Sequence, residues 1–190
     1  MIQVVLALTT LAWLTLEIGL LIRDVARGTG GTALDLGTRT LAWIAWIAAA
    51  VGAGMAQREL RPDAAWQFGT TGLVAAGVIL MWAGLALRIW AVWVLGGAFR
   101  TTVEVHAGQR VVDRGPYRWV RHPSYSGLLL IAAGLGLATG NWLSLALLLV
   151  LPLLALLRRI QVEETVLVSA LGPPYVDYRK RTKRLIPGLW

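Results

Sequence analysis

Five apolar runs, interrupted by segments too charged to enter lipid, confine this 190-residue chain to one kind of architecture. The runs cover about 2–22, 41–56, 70–95, 125–139 and 142–157. A hydrocarbon layer about 30 Å thick asks for roughly 20 apolar residues wound as a helix, because only a helix or a closed barrel satisfies its own backbone there. The fourth and fifth runs sit near the lower limit of that length. Only Gly140-Asn141 separates them, which reads as a tight helical hairpin whose second arm Pro152 should bend. The expected fold class is therefore an all-α integral membrane protein with about five transmembrane helices. A single domain over 1–190 is expected, with a three-helix part at 1–95 and a motif-bearing part at 96–190. The first run lacks a basic leader and a small-residue cleavage site, so it reads as a retained span.

Charge sets the expected orientation. Apolar residues make up 57% of the chain, yet its formal net charge is +8. Twelve of the eighteen basic residues lie from Arg100 onward, against five acidic ones. Such a balance can mark a nucleic-acid binder, but basic segments beside apolar spans mark the cytoplasmic face of a membrane protein, which is the reading adopted. It places 96–124 and 158–190 in the cytoplasm, the loop 57–67 outside, and the connector 23–39 inside. A bacterial inner membrane is the expected host. The chain has no cysteine, which removes thiolate metal sites and cysteine nucleophiles, and its two histidines make a histidine-rich metal site a poor expectation.

The densest polar motif is Gly115-Pro116-Tyr117-Arg118-Trp119-Val120-Arg121-His122-Pro123-Ser124-Tyr125-Ser126-Gly127. Proline pushes His122 away from helical dihedrals and suits the first helical position itself. An ordered loop ending at a helix N-terminus follows, a place suited to a ligand carrying negative charge. A second constellation begins at Arg158-Arg159-Ile160-Gln161-Val162-Glu163-Glu164 and continues with Gly172-Pro173-Pro174-Tyr175-Val176-Asp177-Tyr178-Arg179. On a helix, Arg159 and Glu163 would form an ordinary solvated i,i+4 pair. The alternative is that the two glutamates and the two arginines hold the cationic and anionic groups of a ligand. Arg88 and Glu17 are charged residues within apolar runs, so each is either functional or held near an interface.

The order Arg-His-Pro-x-Tyr-x-Gly (121–127), an apolar hairpin, Arg-x4-Glu-Glu (158–164), Gly-x2-Tyr-x2-Tyr (172–178) and Leu-Ile-Pro (185–187) resembles the isoprenylcysteine carboxyl methyltransferases. The related membrane phospholipid methyltransferases share much of the pattern. The resemblance covers about 84–190. It implies a five-helix membrane enzyme using S-adenosylmethionine near the cytoplasmic face, with a lipophilic or lipidated acceptor arriving from the bilayer. Carried over by motif, Tyr117, Arg121, His122, Pro123, Tyr125 and Gly127 fall on the cofactor side, with Glu164, Tyr175, Tyr178 and Arg179. Arg158 and Glu163 are the expected catalytic pair, and no metal is implied. The chain departs from the family at Gly108-Gln109, where Gly-His is frequent; His106 is out of register and reads as a loop residue.

Chemistry narrows the acceptor without choosing it. A carboxylate or thiolate needs only alignment and desolvation to take a methyl group from a sulfonium. An arginine such as Arg158 suits a carboxylate through bidentate hydrogen bonds. An amine acceptor must lose a proton and would want Glu163 or His122 as base. Phospholipid N-methylation and thiol S-methylation therefore stay open. So does NADPH-dependent sterol or enone reduction, whose enzymes share an Arg-His-rich loop before a hairpin but carry more spans, and so does a non-enzymatic membrane assembly role.

Overall fold

The computed structural model describes residues 2–28, 35, 37–59, 71–103 and 108–188. Six helices follow in order: α1 (Ile2–Ala26), α2 (Thr38–Glu59), α3 (Thr71–Leu95), α4 (Pro123–Thr139), α5 (Trp142–Leu171) and α6 (Pro173–Arg181). Four of them, α1, α2, α3 and α5, are long and apolar enough to cross a membrane, and α4 is a shorter apolar helix. At 1.5 Å per residue the 17 residues of α4 reach about 25 Å, just short of a full hydrocarbon layer. His106 and the loop at 60–70 lie outside the described residues, as does most of the connector before α2.

The fifth run extends further than its apolar stretch suggests. Its helix continues from Trp142 through the charged residues to Leu171, with Pro152 inside it, because beyond Pro152 no proline or glycine intervenes before Gly172-Pro173. One helix thus carries both the membrane arm and the Arg-Glu-Glu motif. The hairpin turn matches expectation. Gly140 closes α4 in the left-handed region at φ +65, and the Asn141 side chain accepts from the Ser144 amide (3.0 Å) to start α5.

Glycines fuse α3 to α4. Gly77 lies against Gly134, and Gly84 against Gly127, at a common seven-residue spacing on antiparallel helices. A Cβ built on Gly77 would stand 2.5 Å from the Gly134 carbonyl oxygen, and one on Gly84 2.5 Å from that of Gly127. Without a hydrophobic drive between helices in lipid, such close backbone approach is the principal source of packing energy. The core beside this seam collects Trp13, Met81, Leu85, Leu128, Ile131 and Leu156 from four helices. Polar fasteners hold α2 to the hairpin: Ser144 Oγ donates to the Ala53 carbonyl (3.0 Å) and Gln57 to that of Thr139 (2.6 Å).

The end of the chain returns to the loop before α4. Val120 and Lys183 form an isolated parallel bridge, the Arg121 amide donates to the Lys183 carbonyl (2.7 Å), and the His122 amide donates to that of Arg184 (3.0 Å). Ser126 Oγ donates to the Leu185 carbonyl (2.6 Å). The strap made by 182–185 thereby fixes the backbone on which His122 is mounted.

Candidate functional site

Two cavities meet at the N-terminal end of α4. One is lined by Leu95, Arg110, Val112, Tyr117, Arg121, His122, Glu163, Leu167, Tyr175 and Tyr178, among others. The other is lined by Trp13, Glu17, Arg39, Trp43, Trp46, Arg88, Thr101, Tyr125, Leu156 and Arg159, among others. We call them the loop cavity and the tryptophan cavity.

The wall between them is a short chain of hydrogen bonds. Arg159 Nε donates to the Tyr125 hydroxyl (2.8 Å), and that hydroxyl donates to Glu163 Oε2 (2.8 Å). A phenol with one lone pair and one proton engaged is well satisfied by this arrangement. Arg159 faces the tryptophan cavity and Glu163 the loop cavity, so Tyr125 connects the two. The remaining guanidinium nitrogens of Arg159 reach Asp35 Oδ1 (3.1 Å) and the Thr101 carbonyl (2.6 Å). Glu163 is not paired directly with Arg159, contrary to the i,i+4 expectation; the tyrosine stands between them.

The two adjacent arginines face opposite surroundings. Arg158 lies on the exposed face of α5, whereas Arg159 is only 5% exposed. One residue along a helix is a turn of about 100°, so only one of two neighbours can face the bundle. Arg158 lines neither cavity, whereas Arg159 lines the tryptophan cavity.

His122 is 4% exposed, with Nδ1 3.8 Å from Glu163 Oε2 and Nε2 3.5 Å from Glu164 Oε1. Neither separation makes a hydrogen bond, and Nε2 is left buried without a partner. The His122 and Tyr125 rings stack nearly parallel, 5.5 Å apart. Tyr117 and Tyr178 are joined through the Tyr178 hydroxyl, which donates to the Tyr117 carbonyl (2.8 Å). Burial pushes the phenols of Tyr117, Tyr175 and Tyr178 well above the ordinary range, so these groups stay neutral.

Other expected ligand residues serve the frame. Glu164 is 3% exposed and receives Arg121 Nε (2.8 Å) and Arg184 Nη2 (3.2 Å), with Arg179 Nη2 at 3.5 Å. It lines neither cavity, and through these pairs it ties α5 to α6 and the strap. Arg121 lines the loop cavity but spends its donors on Glu164 and on the carbonyls of Arg179 (3.2 Å) and Thr182. Pro123 is buried at the first position of α4, as expected. Gly127 belongs to the α3–α4 seam: a Cβ there would lie 2.6 Å from the Gly84 carbonyl oxygen. Its requirement for glycine is set by helix packing.

The two charges inside apolar runs find each other. Arg88 forks onto Glu17, Nε to Oε1 at 2.5 Å and Nη2 to Oε2 at 2.7 Å, and donates to Ser124 Oγ (2.5 Å). Trp13 Nε1 adds a donor to Glu17 (3.2 Å). Both are buried, so pairing across helices, not reaching for the interface, resolves their cost. Asp35, Arg39, Thr101, Trp13, Trp43 and Trp46 had escaped sequence reasoning. A signal existed for three of them, since Arg39, Trp43 and Trp46 share one face of α2 at helical spacing.

Fold and site together define a polytopic helical membrane protein in which a polar loop cavity and an aromatic cavity share one wall. Residues 77–169 match the family model described as "Isoprenylcysteine carboxyl methyltransferase (ICMT) family". The chain is 35% identical over 107 residues to a protein-S-isoprenylcysteine O-methyltransferase of Schizosaccharomyces pombe, covering 49% of this chain and 45% of that protein. It is 31% identical over 120 residues to that of Rattus norvegicus, covering 62% and 42%. A solved structure described as the eukaryotic intramembrane Ras methyltransferase ICMT superposes with a TM-score of 0.64 at 26% identity, over 76% of this chain and 51% of that one. The match to the family model is confined to residues 77–169, and the chain is a multi-pass integral membrane protein. It spans about half the length of the relatives it matches.

Proposed function

We propose that this protein is an S-adenosylmethionine-dependent methyltransferase that esterifies a lipophilic carboxylic acid of isoprenylcysteine type. The observation that carries the reading is the Arg159–Tyr125–Glu163 link, with a polar cavity on one side and a tryptophan-rich one on the other. The loop cavity fits the cofactor. It offers the Glu163 carboxylate and the Arg110 guanidinium to an amino-acid end, three neutral tyrosines to a ring system, and the unpartnered His122 Nε2 to a polar group. Bound there, the cofactor supplies a methyl group already joined to a good leaving group.

The residues of the chain supply the rest. Arg159 is the group we assign to the acceptor carboxylate, and its Nη1 already holds a carboxylate, that of Asp35 (3.1 Å). Three of the residues lining the tryptophan cavity are arginines and one is a glutamate, which favours an acid head over an amine. Trp13, Trp43, Trp46, Leu128 and Leu156 would take the apolar body and keep water from the reacting oxygen. Tyr125 sets Arg159 and Glu163 in mutual register, the alignment that in-line transfer requires. A carboxylate attacks without losing a proton, so no general base is assigned.

The basic residues at the cavity end of the bundle support placing the site on the cytoplasmic side of a bacterial inner membrane. Single cysteines at the exposed positions Arg118 and Lys180 of this cysteine-free chain should resist a membrane-impermeant thiol reagent in intact cells; labelling of either would reverse the orientation. The activity is tested by methyl transfer from radiolabelled S-adenosylmethionine to a farnesylated thiopropionic acid, with the matching amine and thiol as competitors. Base-labile label in the acid is expected. Label in the amine or thiol alone, or no binding of S-adenosylhomocysteine by calorimetry, would overturn the proposal.

A further inference from the structure

A third depression lies apart from the two cavities, on the membrane-facing side between α1 and α3. Leu16, Ile89, Val92 and Trp93 form its apolar length, and Arg23 and Arg27 close one end beside Gly96 and Gly97. The indole of Trp93 is 78% exposed at this end, the placement tryptophan takes at a headgroup boundary. Nothing in the methyl-transfer reading uses any of these side chains.

The charge at this end is unbalanced. Arg23 approaches Asp24 Oδ1 at 3.5 Å and donates to the Phe99 carbonyl (3.3 Å), while Asp24 accepts the Thr101 amide. Arg27, one helical turn further on, is exposed and makes no ion pair among the described residues. Two guanidinium groups thus face one committed carboxylate. Gly96 and Gly97 place no side chain over the end of the groove, and a Cβ built on either would meet nothing within 4 Å.

We infer that this groove holds one anionic phospholipid, its phosphate between Arg23 and Arg27 and an acyl chain along Leu16, Ile89, Val92 and Trp93. The ligand must be amphiphilic because the groove is: a free anion would use the arginines and leave the apolar length uncovered. A bound lipid would also bear on the acceptor side. The Arg23 guanidinium stands 5.3 Å over the Phe99 ring, and Phe99 lines the tryptophan cavity.

The test is native mass spectrometry of the whole protein released from nanodiscs of equal phosphatidylglycerol and phosphatidylcholine. We expect one phosphatidylglycerol to be retained preferentially. Arg27→Gln should lower that preference about fivefold, following the roughly 1 kcal/mol that a basic residue near a lipid surface contributes. Trp93→Ala should shorten retention of both lipids, whereas Lys180→Gln, distant from the groove, should change nothing. Arg27→Glu, at an exposed position, serves as a second variant should Arg27→Gln yield too little protein. Equal retention of the two lipids by the wild type would overturn the inference. So would an undiminished preference in the folded Arg27 variants, or displacement of the lipid by millimolar inorganic phosphate.

Discussion

The loop cavity and the tryptophan cavity share a wall, but only the second takes lining residues from α1 and α2. Tyr117, Arg121, His122 and Glu163, which define the first, all lie inside the family-matched stretch 77–169. Trp13, Glu17, Arg39, Trp43 and Trp46, which shape the second, all come from α1 and α2 outside it. The two are also built differently. Both have charge-assisted hydrogen bonds in their walls, but the strap braces only the loop cavity, and the ring contact of Trp13 against Trp46 at 4.7 Å belongs only to the tryptophan cavity. On the proposed function, this separates the chemistry, read from the matched stretch, from the choice of acceptor, read from the first two helices.

The comparison breaks first at the shared wall. Arg159→Ala and Glu163→Ala should each lower kcat/KM by roughly two orders of magnitude, about 2.7 kcal/mol of barrier, and Arg159→Lys should remain poor because an ammonium cannot reproduce the fork. Turnover of radiolabelled methyl groups measures this, and near-normal rates in both alanine variants would remove the wall from the mechanism. Tyr125→Phe keeps the ring and loses only the hydroxyl; a drop of about tenfold in kcat with little change in cofactor Kd is expected.

Trp46→Ala sharpens the division of labour. It should raise the acceptor KM by about tenfold, the scale of one buried aromatic contact, and leave S-adenosylhomocysteine affinity by calorimetry unchanged. A parallel loss of cofactor affinity would show that the cavities are not separable. The opposite control lies in the tyrosines of the loop cavity. Their folded pKa values are raised by burial above the ordinary value of about 10, so their contribution is complete below that pH in both states and lost as pH climbs from there. Thermal unfolding in detergent should therefore be flat from pH 7 to 9.5 and fall at pH 11. Tyr117→Phe, whose hydroxyl makes only a 3.4 Å contact with the Ala91 carbonyl, should blunt that fall. The smallest effect is expected from Arg158→Ala, within about twofold of normal turnover, as for an exposed charge.

What the sequence revealed followed the range of each signal. Apolar length located α1 to α4 to within a few residues but stopped at Leu157, before the charged residues and fourteen short of the end of α5 at Leu171, and Gly140-Asn141 announced the hairpin because its turn chemistry is local. The facing of α5 was not legible: Arg158 and Arg159 differ by a single step, and only packing against Tyr125 and Asp35 decides which one turns inward. Glu17 and Arg88 were recognisable as costly, but their partnership spans 71 residues of chain and needed the bundle to appear. For Gly127 the motif alone does not show the close approach to Gly84 across the seam, which depends on a residue 43 positions away.

The strap carries a consequence in time. His122 stands on backbone held by the carbonyls of Lys183 and Arg184, and Glu164 waits for the Arg184 side chain. A nascent chain that has inserted all its long helices still lacks these partners until residues 182–185 emerge from the ribosome. Membrane insertion and acquisition of the loop cavity are thus separate events in biogenesis, and a chain released early, at residue 181, would be embedded yet unfinished.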